Sequence, residues 1–224
     1  MIETTTQRGQ VLDAVSARLA EQDPGHPLRV GIDGVCGAGK TTFANELAAQ
    51  LASTGRAVLR LDSDGFHHVR HIRYRQGRES ARGYYEDAYD FDALRRLTLE
   101  PLGPGGSRRY AWHVHDLATD EVEPRFAEAE PDAIVVFDAT FLQRDELREC
   151  GDEVIFLDAP RERALERGAR RDAASLGGLD AARLVYDARY MAACDLYLAE
   201  QDPRTRASIV IDNADPAHPL LARR

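Results

Sequence analysis

Apolar residues recur along the chain in two patterns, one typical of helices and one of buried strands. Val11, Leu12, Val15 and Leu19 fall on one helical face, which predicts a packing helix within residues 1–24. Five short runs are almost continuously apolar, as in strands buried on both faces: "PLRVGID", "RAVLRLD", "DAIVVFD", "DEVIFLD" and "ASIVID", the last strand predicted. The helical pattern "TTFANELAAQLAS" separates the first two runs, so the chain opens with a β-α-β unit.

Helical patterns and strands continue to alternate through the rest of the chain. The other segments predicted as helices are 91–98, 144–149, 161–172 and 181–199. The Pro- and Gly-rich stretch "EPLGPGGS" is predicted as a loop, and "RRYAWHVHD" with "EVEPRF" as a two-stranded ribbon. This alternation predicts one α/β domain over residues 1–224, with helices on both faces of a mostly parallel sheet.

The composition argues against several classes of function. The formal net charge is -9, whereas general nucleic-acid binders need a basic excess to attract phosphate. No apolar run reaches the roughly 18 residues of a membrane span, and the N-terminus has no apolar leader. Cys36, Cys150 and Cys194 are widely spaced and odd in number, which fits neither a disulfide framework nor a zinc cluster. We expect a cytoplasmic protein that binds neither nucleic acid nor membrane; homo-oligomerisation is left open.

The segment "GVCGAGKT" fits the pattern G-x-x-x-x-G-K-[ST] between a predicted strand and a predicted helix. Its glycines let successive N–H groups turn inward, and the helix start adds a positive dipole end, which together form a polyphosphate nest. Lys40 is predicted to reach the β and γ phosphates, Thr41 to bind Mg²⁺ and Thr42 to donate to a phosphate oxygen. The nucleotide-binding set is Gly34, Gly37, Ala38, Gly39, Lys40, Thr41 and Thr42, with ATP and Mg²⁺ as the implied cofactors.

Acids follow two of the predicted strands. Asp138 ends the run "AIVVFD" and is predicted as a metal ligand, with a turn cap as the alternative. Asp62 and Asp64 follow "AVLRL", and ligands of parallel sheets bind at the carboxyl ends of strands. Asp64 is predicted to orient and deprotonate an acceptor hydroxyl. Asp62 is predicted as an outer metal or water ligand, with an Asx turn and an exchange of roles with Asp64 as open alternatives.

These motifs resemble the uridine kinase, phosphoribulokinase and pantothenate kinase group of P-loop kinases, and its uridine kinase branch most closely. The resemblance covers about residues 28–215 and is most specific in the P-loop and in "SDGFHH". The family carries its catalytic base in that second segment, which favours Asp64 and places the aromatic Phe66 beside the substrate. "VVFDATFL" resembles the family's strand-end acidic segment, although many members have Glu-Gly where this chain has Asp138 and an alanine.

The same resemblance implies further binding residues. "GYYEDAYDFDAL" resembles the piece that holds the ribose hydroxyls, which implies that role for Asp87, with a solvated acid as the alternative. "RRYAWHVHD" resembles the nucleobase pocket and implicates Tyr110 and His115, unless they only pack. "RERALERGARRD" resembles the lid helix, so Arg167 and Arg171, four residues apart on one helical face, would close over the phosphates and act in catalysis. A solvated charged helix is the alternative.

One departure from the nucleoside kinases bears on the acceptor. The segment "HHVRHIRYRQGRESARG" is unusually basic and contains Arg70, Arg73, Arg75, Arg78 and Arg82. These arginines could hold an anionic acceptor such as a sugar phosphate or a carboxylate, or they could balance the acidic segment "EDAYD". The histidines of this region, His67, His68 and His71, are interpreted as loop residues rather than metal ligands.

The sequence therefore predicts an ATP- and Mg²⁺-dependent kinase whose partner is a small-molecule acceptor, with the 5′-hydroxyl of uridine or cytidine as the expected site of transfer. Residues 63–125 are predicted to bind the acceptor and residues 160–180 to form a helical lid. Two alternatives are kept. One is a kinase of another alcohol, such as pantothenate or a sugar phosphate, and the other is a non-catalytic nucleotide switch or partner-driving ATPase.

Overall fold

The computed structural model describes residues 6–223 and contains eight strands within them. They are β1 Leu28–Gly34, β2 Val58–Asp62, β3 Arg109–His115, β4 Val122–Glu128, β5 Ile134–Asp138, β6 Glu153–Asp158, β7 Ile209–Asp212 and β8 Leu220–Arg223. Six form the central sheet in the order β2-β5-β1-β6-β7-β8. The neighbours in this sheet are parallel except β7 and β8, while β3 and β4 pair in a separate antiparallel ribbon.

The predicted apolar runs form the parallel part of the sheet, which confirms the α/β fold. Every residue of β1 and β5 is buried, as expected for strands covered on both faces. The register places Asp138 directly beside Asp62, so two of the predicted acids end adjacent strands. The prediction that the fifth run is the last strand is wrong, because β8 follows β7 and pairs back onto it. No buried apolar run marks β8, whose residues are mostly exposed.

Nine α-helices lie within residues 6–223. They are α1 Gln7–Ala20, α2 Lys40–Ala52, α3 Arg70–Arg73, α4 Ala81–Asp87, α5 Phe91–Leu94, α6 Arg161–Asp172, α7 Leu179–Val185, α8 Ala192–Gln201 and α9 Pro203–Arg206. Two π-helical segments, Arg95–Leu99 and Tyr186–Met191, continue α5 and join α7 to α8. No helix of the described chain has the length and apolarity that crossing a bilayer requires.

The predicted N-terminal helix is present as α1. Thr6 Oγ1 accepts a hydrogen bond from the Gly9 amide at 3.2 Å and so caps the first turn. The predicted apolar stripe, which includes Val15 and Leu19, is buried. The first part of the predicted segment, residues 1–5, lies outside the described residues.

The helix predicted around residues 144–149 is wrong, because the chain forms successive turns there. Phe141 has a positive φ of 64°, and the Gln143 amide donates to the Tyr197 hydroxyl at 2.8 Å instead of to a preceding carbonyl. The Leu147 amide then bonds to the carbonyl three residues back, the spacing of a turn rather than of an α-helix. A contact with a distant helix thus replaces local helix formation.

The ribbon β3–β4 is present as predicted and lies against the turn that follows β2. A β-carbon added to Gly65 in that turn would lie 2.8 Å from His113 Nδ1 of β3, so the two backbones approach closely. Thr98 Oγ1 donates to the Ala111 carbonyl at 2.6 Å and joins the ribbon to the π-helical segment after α5. The ribbon therefore supports the chain that carries Asp64.

Candidate active site

Three glycines shape the loop between β1 and α2. Gly34, Gly37 and Gly39 have φ angles of 147°, 79° and 97°, a range that favours a residue without a β-carbon. Close packing adds a second constraint, because a β-carbon on Gly37 would lie 2.1 Å from the Ala164 carbonyl oxygen of α6. A β-carbon on Gly34 would lie 2.8 Å from the Leu157 carbonyl oxygen of β6. The curvature of the loop is therefore set by its neighbours as well as by its own sequence.

Polar contacts hold this loop in a concave shape. Lys40 Nζ donates to the carbonyl oxygens of Gly34 at 2.9 Å and Val35 at 3.1 Å, which keeps the ammonium group over the turn. Asn213 Nδ2, just after β7, donates to the Ala38 carbonyl at 2.7 Å. A concave backbone with an ammonium group above it and a helix N-terminus beside it fits a polyphosphate chain.

Thr41 and Asp138 form the polar pair beside the loop. Thr41 Oγ1 donates to Asp138 Oδ2 at 2.8 Å, and Arg60 forms an ion pair with the other carboxylate oxygen. This ion pair offsets the cost of burying the Asp138 side chain, which is 7% exposed. Mg²⁺ is commonly held by one or two protein oxygens together with phosphates and water, and this hydroxyl and carboxylate fit that donor set. Among residues 6–223, no cluster of three or more His, Cys, Asp or Glu side chains could hold a metal.

A cleft of about 660 Å³ opens beside this pair. The predicted site residues that line it are Gly37, Gly39, Lys40, Thr41, Thr42, Asp64, Asp138 and Arg171. The structure thus brings residues predicted for phosphate binding, metal binding, proton transfer and lid closure into one cleft.

Asp64 faces this cleft from the turn after β2. Partial burial, together with the negative charges of Asp62 and Asp138, raises the pKa of Asp64 above the ordinary value for aspartate. Asp62 is not among the residues that line the cleft, and its Oδ1 accepts from the Asp64 amide at 3.0 Å. This contact has the form of the Asx turn that the sequence also allowed.

His67 lies next to Asp64 and is neutral. Burial, reinforced by the charge of Arg73, lowers the pKa of His67 to about 4. Since a carbonyl oxygen only accepts, the neutral ring donates through Nδ1 to the Asp64 carbonyl at 2.9 Å. The cationic side chains that line the cleft are Lys40, Arg73, Arg171 and Arg189.

The two predicted lid arginines of α6 have different positions. Arg171 lines the cleft, binds both carboxylate oxygens of Asp172 at 2.8 and 2.9 Å, and donates to the Tyr186 hydroxyl at 3.0 Å. The hydrogen bonds with Asp172 raise the pKa of Arg171, so its charge is fixed. Arg167 is outside the cleft lining and donates to the Asn213 carbonyl at 3.0 Å, which ties α6 to the end of β7.

Phe66 and Tyr110, predicted to bind the acceptor, are not among the residues that line the cleft. Phe66 is 1% exposed and belongs to the hydrophobic core. Tyr110 is also buried and, together with Asp62, borders a separate shallow pocket along β2. Their predicted roles have no counterpart in the present shape of the cleft.

Asp87 and His115 are also buried outside the cleft lining. Asp87 pairs with Arg75 and accepts from Gln76 Nε2 at 2.7 Å. His115 Nε2 lies 3.1 Å from a carboxylate oxygen of Asp120. Both side chains would have to exchange these partners to contact a ligand, so their roles in binding stay predictions.

Among the groups that escaped the sequence reasoning are two beside the cleft. Asp33 is completely buried under the P-loop, where its carboxylate accepts from the Tyr197 hydroxyl at 2.6 Å, Gln143 Nε2 at 2.9 Å and the Gly34 amide at 2.7 Å. Burial outweighs these bonds and raises the pKa of Asp33. The other is Arg60, the partner of the metal-site carboxylate. The available signal was a charged residue in each apolar run, Asp33 in "RVGID" and Arg60 in "VLRLD".

A phosphate loop at the end of a parallel strand, with an acid on the adjoining strand and a second acid facing the same cleft, fits a P-loop kinase. The chain belongs to the phosphoribulokinase / uridine kinase family, whose model matches residues 29–213. This membership makes it a phosphotransferase.

Individual relatives agree with the family. The chain is 28% identical to a uridine kinase of Leuconostoc citreum (strain KM20), over 65% of this chain and 69% of the relative. It is 26% identical to a uridine kinase of Latilactobacillus sakei subsp. sakei (strain 23K), over 67% of this chain and 69% of the relative. The solved structure of a possible uridine kinase from Bacillus stearothermophilus shares the fold with a TM-score of 0.70 and 26% identity, over 90% of this chain and 97% of that one.

Proposed function

We propose that this protein transfers the γ-phosphoryl group of ATP to a hydroxyl group of a small molecule, with Asp64 as the base. One observation carries the proposal: Asp64 lines the same cleft as Lys40 and the Thr41–Asp138 pair. A phosphotransferase needs its base, its phosphate loop and its metal ligands within reach of one reacting phosphoryl group.

The residues of the cleft have complementary tasks. Lys40 and the P-loop amides hold the triphosphate, and Arg171 stabilises the charge that is transferred. Asp64 accepts the proton of the acceptor hydroxyl as the new O–P bond forms. Thr41 and Asp138 would hold Mg²⁺, which neutralises phosphate charge when bound.

Closure of the cleft is part of the proposal. Residues 160–180 would act as the lid and residues 63–125 would bind the acceptor, because both border the phosphate loop and an open kinase would lose phosphoryl groups to water. Hydrogen exchange in both segments should slow when nucleotide and acceptor are bound together. Exchange that is equal with and without both ligands would contradict closure.

Uridine is the candidate acceptor that the names of the relatives support, and cytidine is the other nucleoside that the sequence predicted. The nucleoside contacts expected from Asp87, Tyr110 and His115 would require these buried side chains to reorient on binding. The acceptor is therefore tested separately from the reaction.

The reaction is tested with Asp64→Asn. The variant should lose acceptor-stimulated ADP formation by roughly 10²–10⁴-fold, the usual contribution of a positioned base, while it still binds ATP. Asp132→Asn, a change at an exposed carboxylate, is the matched control and should behave as wild type. An ATPase activity that needs no acceptor and is unaffected by Asp64→Asn would instead favour a nucleotide switch or a partner-driving ATPase.

A further inference from the structure

Two arginines of the cleft, Arg73 and Arg189, have donor groups without partners. The Arg73 side chain is 8% exposed, and its buried Nε has no hydrogen-bond partner. Its Nη1 makes two longer contacts, 3.1 Å to the His68 carbonyl and 3.4 Å to Asp120. Arg189 Nε is likewise buried without a partner. A buried donor left unpaired is costly, so these two guanidinium groups have hydrogen-bonding capacity that the protein itself does not use.

Aromatic rings hold both guanidinium groups in place. Arg73 Cζ lies 5.1 Å from the centre of the Tyr74 ring. Arg189 Cζ lies 5.6, 5.1 and 5.2 Å from the ring centres of Tyr74, Tyr84 and Tyr190. A ring face offers a guanidinium group no strong acceptor atom, so these contacts leave its N–H groups available to an oxyanion.

The field around Tyr74 is positive. Burial raises the pKa of the Tyr74 hydroxyl, but the hydrogen bond with Arg73 and the charges of Arg73 and Arg189 outweigh it, so that the pKa is lowered. The same charges would stabilise an anion bound at this part of the cleft.

Two of the other four arginines of the basic segment are paired with acids. Arg75 is neutralised by Asp87, and Arg82 pairs with Glu86 at 2.8 Å. The acidic segment therefore balances those two, as the sequence allowed. Arg73 is the arginine of this segment that lines the cleft.

Arg73 and Arg189 both contact the Tyr74 ring and line the same cleft as Asp64. We propose that Arg73 and Arg189 bind an oxyanion group of the acceptor, a phosphate or a carboxylate, while the hydroxyl of the same acceptor lies at Asp64. This inference rests on the proposed kinase function and specifies its substrate class.

Binding is measured first, on the full chain with its P-loop filled by Mg²⁺ and a non-hydrolysable ATP analogue. The calorimetric probes are three matched pairs: ribose 5-phosphate and ribose, D-glycerate and glycerol, pantothenate and its alcohol panthenol. At least one anion should bind at least about tenfold more tightly than its neutral partner, as expected for charge-assisted hydrogen bonds. The pair that shows this difference distinguishes a phosphate from a carboxylate.

Substitutions then assign the site. Arg73→Gln and Arg189→Gln should each weaken anion binding by at least about tenfold, whereas Arg82→Gln, which removes a surface ion pair, should not. Arg73→Lys keeps the charge and should retain part of the binding, with thermal melts as the check that each variant is folded. Equal binding of anions and neutral partners, or Gln variants that bind as wild type does, would overturn the subsite.

ADP formation with the same probes and with uridine separates this inference from the kinase function. Turnover stimulated by an anion, with a raised acceptor KM and an unchanged ATP KM in Arg73→Gln, supports both. Stimulation by uridine or cytidine alone, unaffected by Arg73→Gln, overturns the anion subsite and leaves the kinase. Anion binding without acceptor-stimulated turnover keeps the subsite and overturns the kinase function.

Discussion

The Tyr197 hydroxyl joins two buried groups beneath the phosphate loop, and Tyr197→Phe measures what this connection contributes. The hydroxyl donates to Asp33 Oδ2 at 2.6 Å and accepts from the Gln143 amide at 2.8 Å. Tyr197 is 1% exposed and Asp33 0%, so water cannot replace the lost hydroxyl without rearrangement. The substitution leaves the ring in place and removes both hydrogen bonds at once.

The magnitude follows from the two bonds. A hydrogen bond to a charged group contributes about 1.5–3 kcal/mol, and a buried amide left without a partner costs about 1–3 kcal/mol. Asp33 keeps the Gly34 amide and Gln143 Nε2 as donors, which places the first contribution at the lower end of its range. We expect a loss of about 3–4 kcal/mol in the free energy of unfolding, a large part of the roughly 5–15 kcal/mol of a typical domain.

The pH dependence of this loss has a definite sign. Burial raises the pKa of Asp33 and the bond from Tyr197 lowers it, so the variant raises that pKa further. A carboxyl whose pKa is raised on folding stabilises the protein fully below its unfolded pKa, and this contribution is lost as pH rises through the folded pKa. The difference between Tyr197→Phe and wild type should therefore shrink as pH falls.

The assay is denaturant unfolding followed by circular dichroism, with Tyr85→Phe as the matched control. The Tyr85 and Tyr197 rings pack on Phe141 with centroid distances of 5.1 and 5.4 Å. The Tyr85 hydroxyl receives a hydrogen bond of 3.4 Å from Gln201, so its removal should cost less than about 1 kcal/mol. Equal losses in the two variants, or a loss under about 1 kcal/mol in Tyr197→Phe, would refute the reasoning.

Three further predictions concern single positions. The negative charge of Asp62 is the second cause, next to burial, of the raised pKa of Asp64. Asp62→Asn removes this charge, so the acid limb of the plot of kcat/KM against pH should move to lower pH. A higher Mg²⁺ requirement instead would support Asp62 as a metal ligand. Gly37→Ala places a β-carbon 2.1 Å from a carbonyl oxygen of α6, so the phosphate loop would have to move. Calorimetry should then detect no nucleotide binding. A nucleotide affinity equal to that of the wild type would contradict a fixed loop. Burial raises the pKa of Glu153, but hydrogen bonds that include one from Arg18 outweigh it and lower the pKa. The stabilisation of the protein by ionised Glu153 is present above the ordinary glutamate pKa and is lost as pH falls. Thermal melts of Arg18→Ala should therefore show about 1 kcal/mol of destabilisation at neutral pH. In acid, the stabilities of the variant and the wild type should converge.

The parallel sheet and the phosphate loop could be predicted because each depends on adjacent residues. A buried strand needs a run of apolar side chains, and the loop needs its glycines, lysine and threonine in one octapeptide. The turns at 144–149 could not be predicted, since they depend on a hydrogen bond from Gln143 to Tyr197, a residue 54 positions away. The same holds for β8, which is defined by the strand it pairs with rather than by its own composition.

The binding roles stay predictions, because a resemblance transfers positions along the chain and not side-chain directions. Asp64 and Asp87 both match acidic positions of the family, yet Asp64 faces the cleft while Asp87 faces Arg75 and Gln76. Arg189 had no motif to mark it. It lies in a π-helical segment, and its place in the cleft depends on the rings of Tyr74 and Tyr84, which come from a distant part of the chain, as well as on the adjacent Tyr190.

Aspartates at the ends of the parallel strands show where prediction from sequence stops. Each of the five strands has one as its last or next-to-last residue: Asp33, Asp62, Asp138, Asp158 and Asp212. Their partners differ, because Asp33 supports the phosphate loop, Asp158 pairs with a surface arginine, and Asp62 and Asp212 each accept from the amide two residues further on. Asp138 is the one of these five that lines the cleft and contacts the threonine of the phosphate loop. A strand-end acid is therefore a candidate in the sequence, and whether its side chain faces the cleft decides whether it serves chemistry or structure.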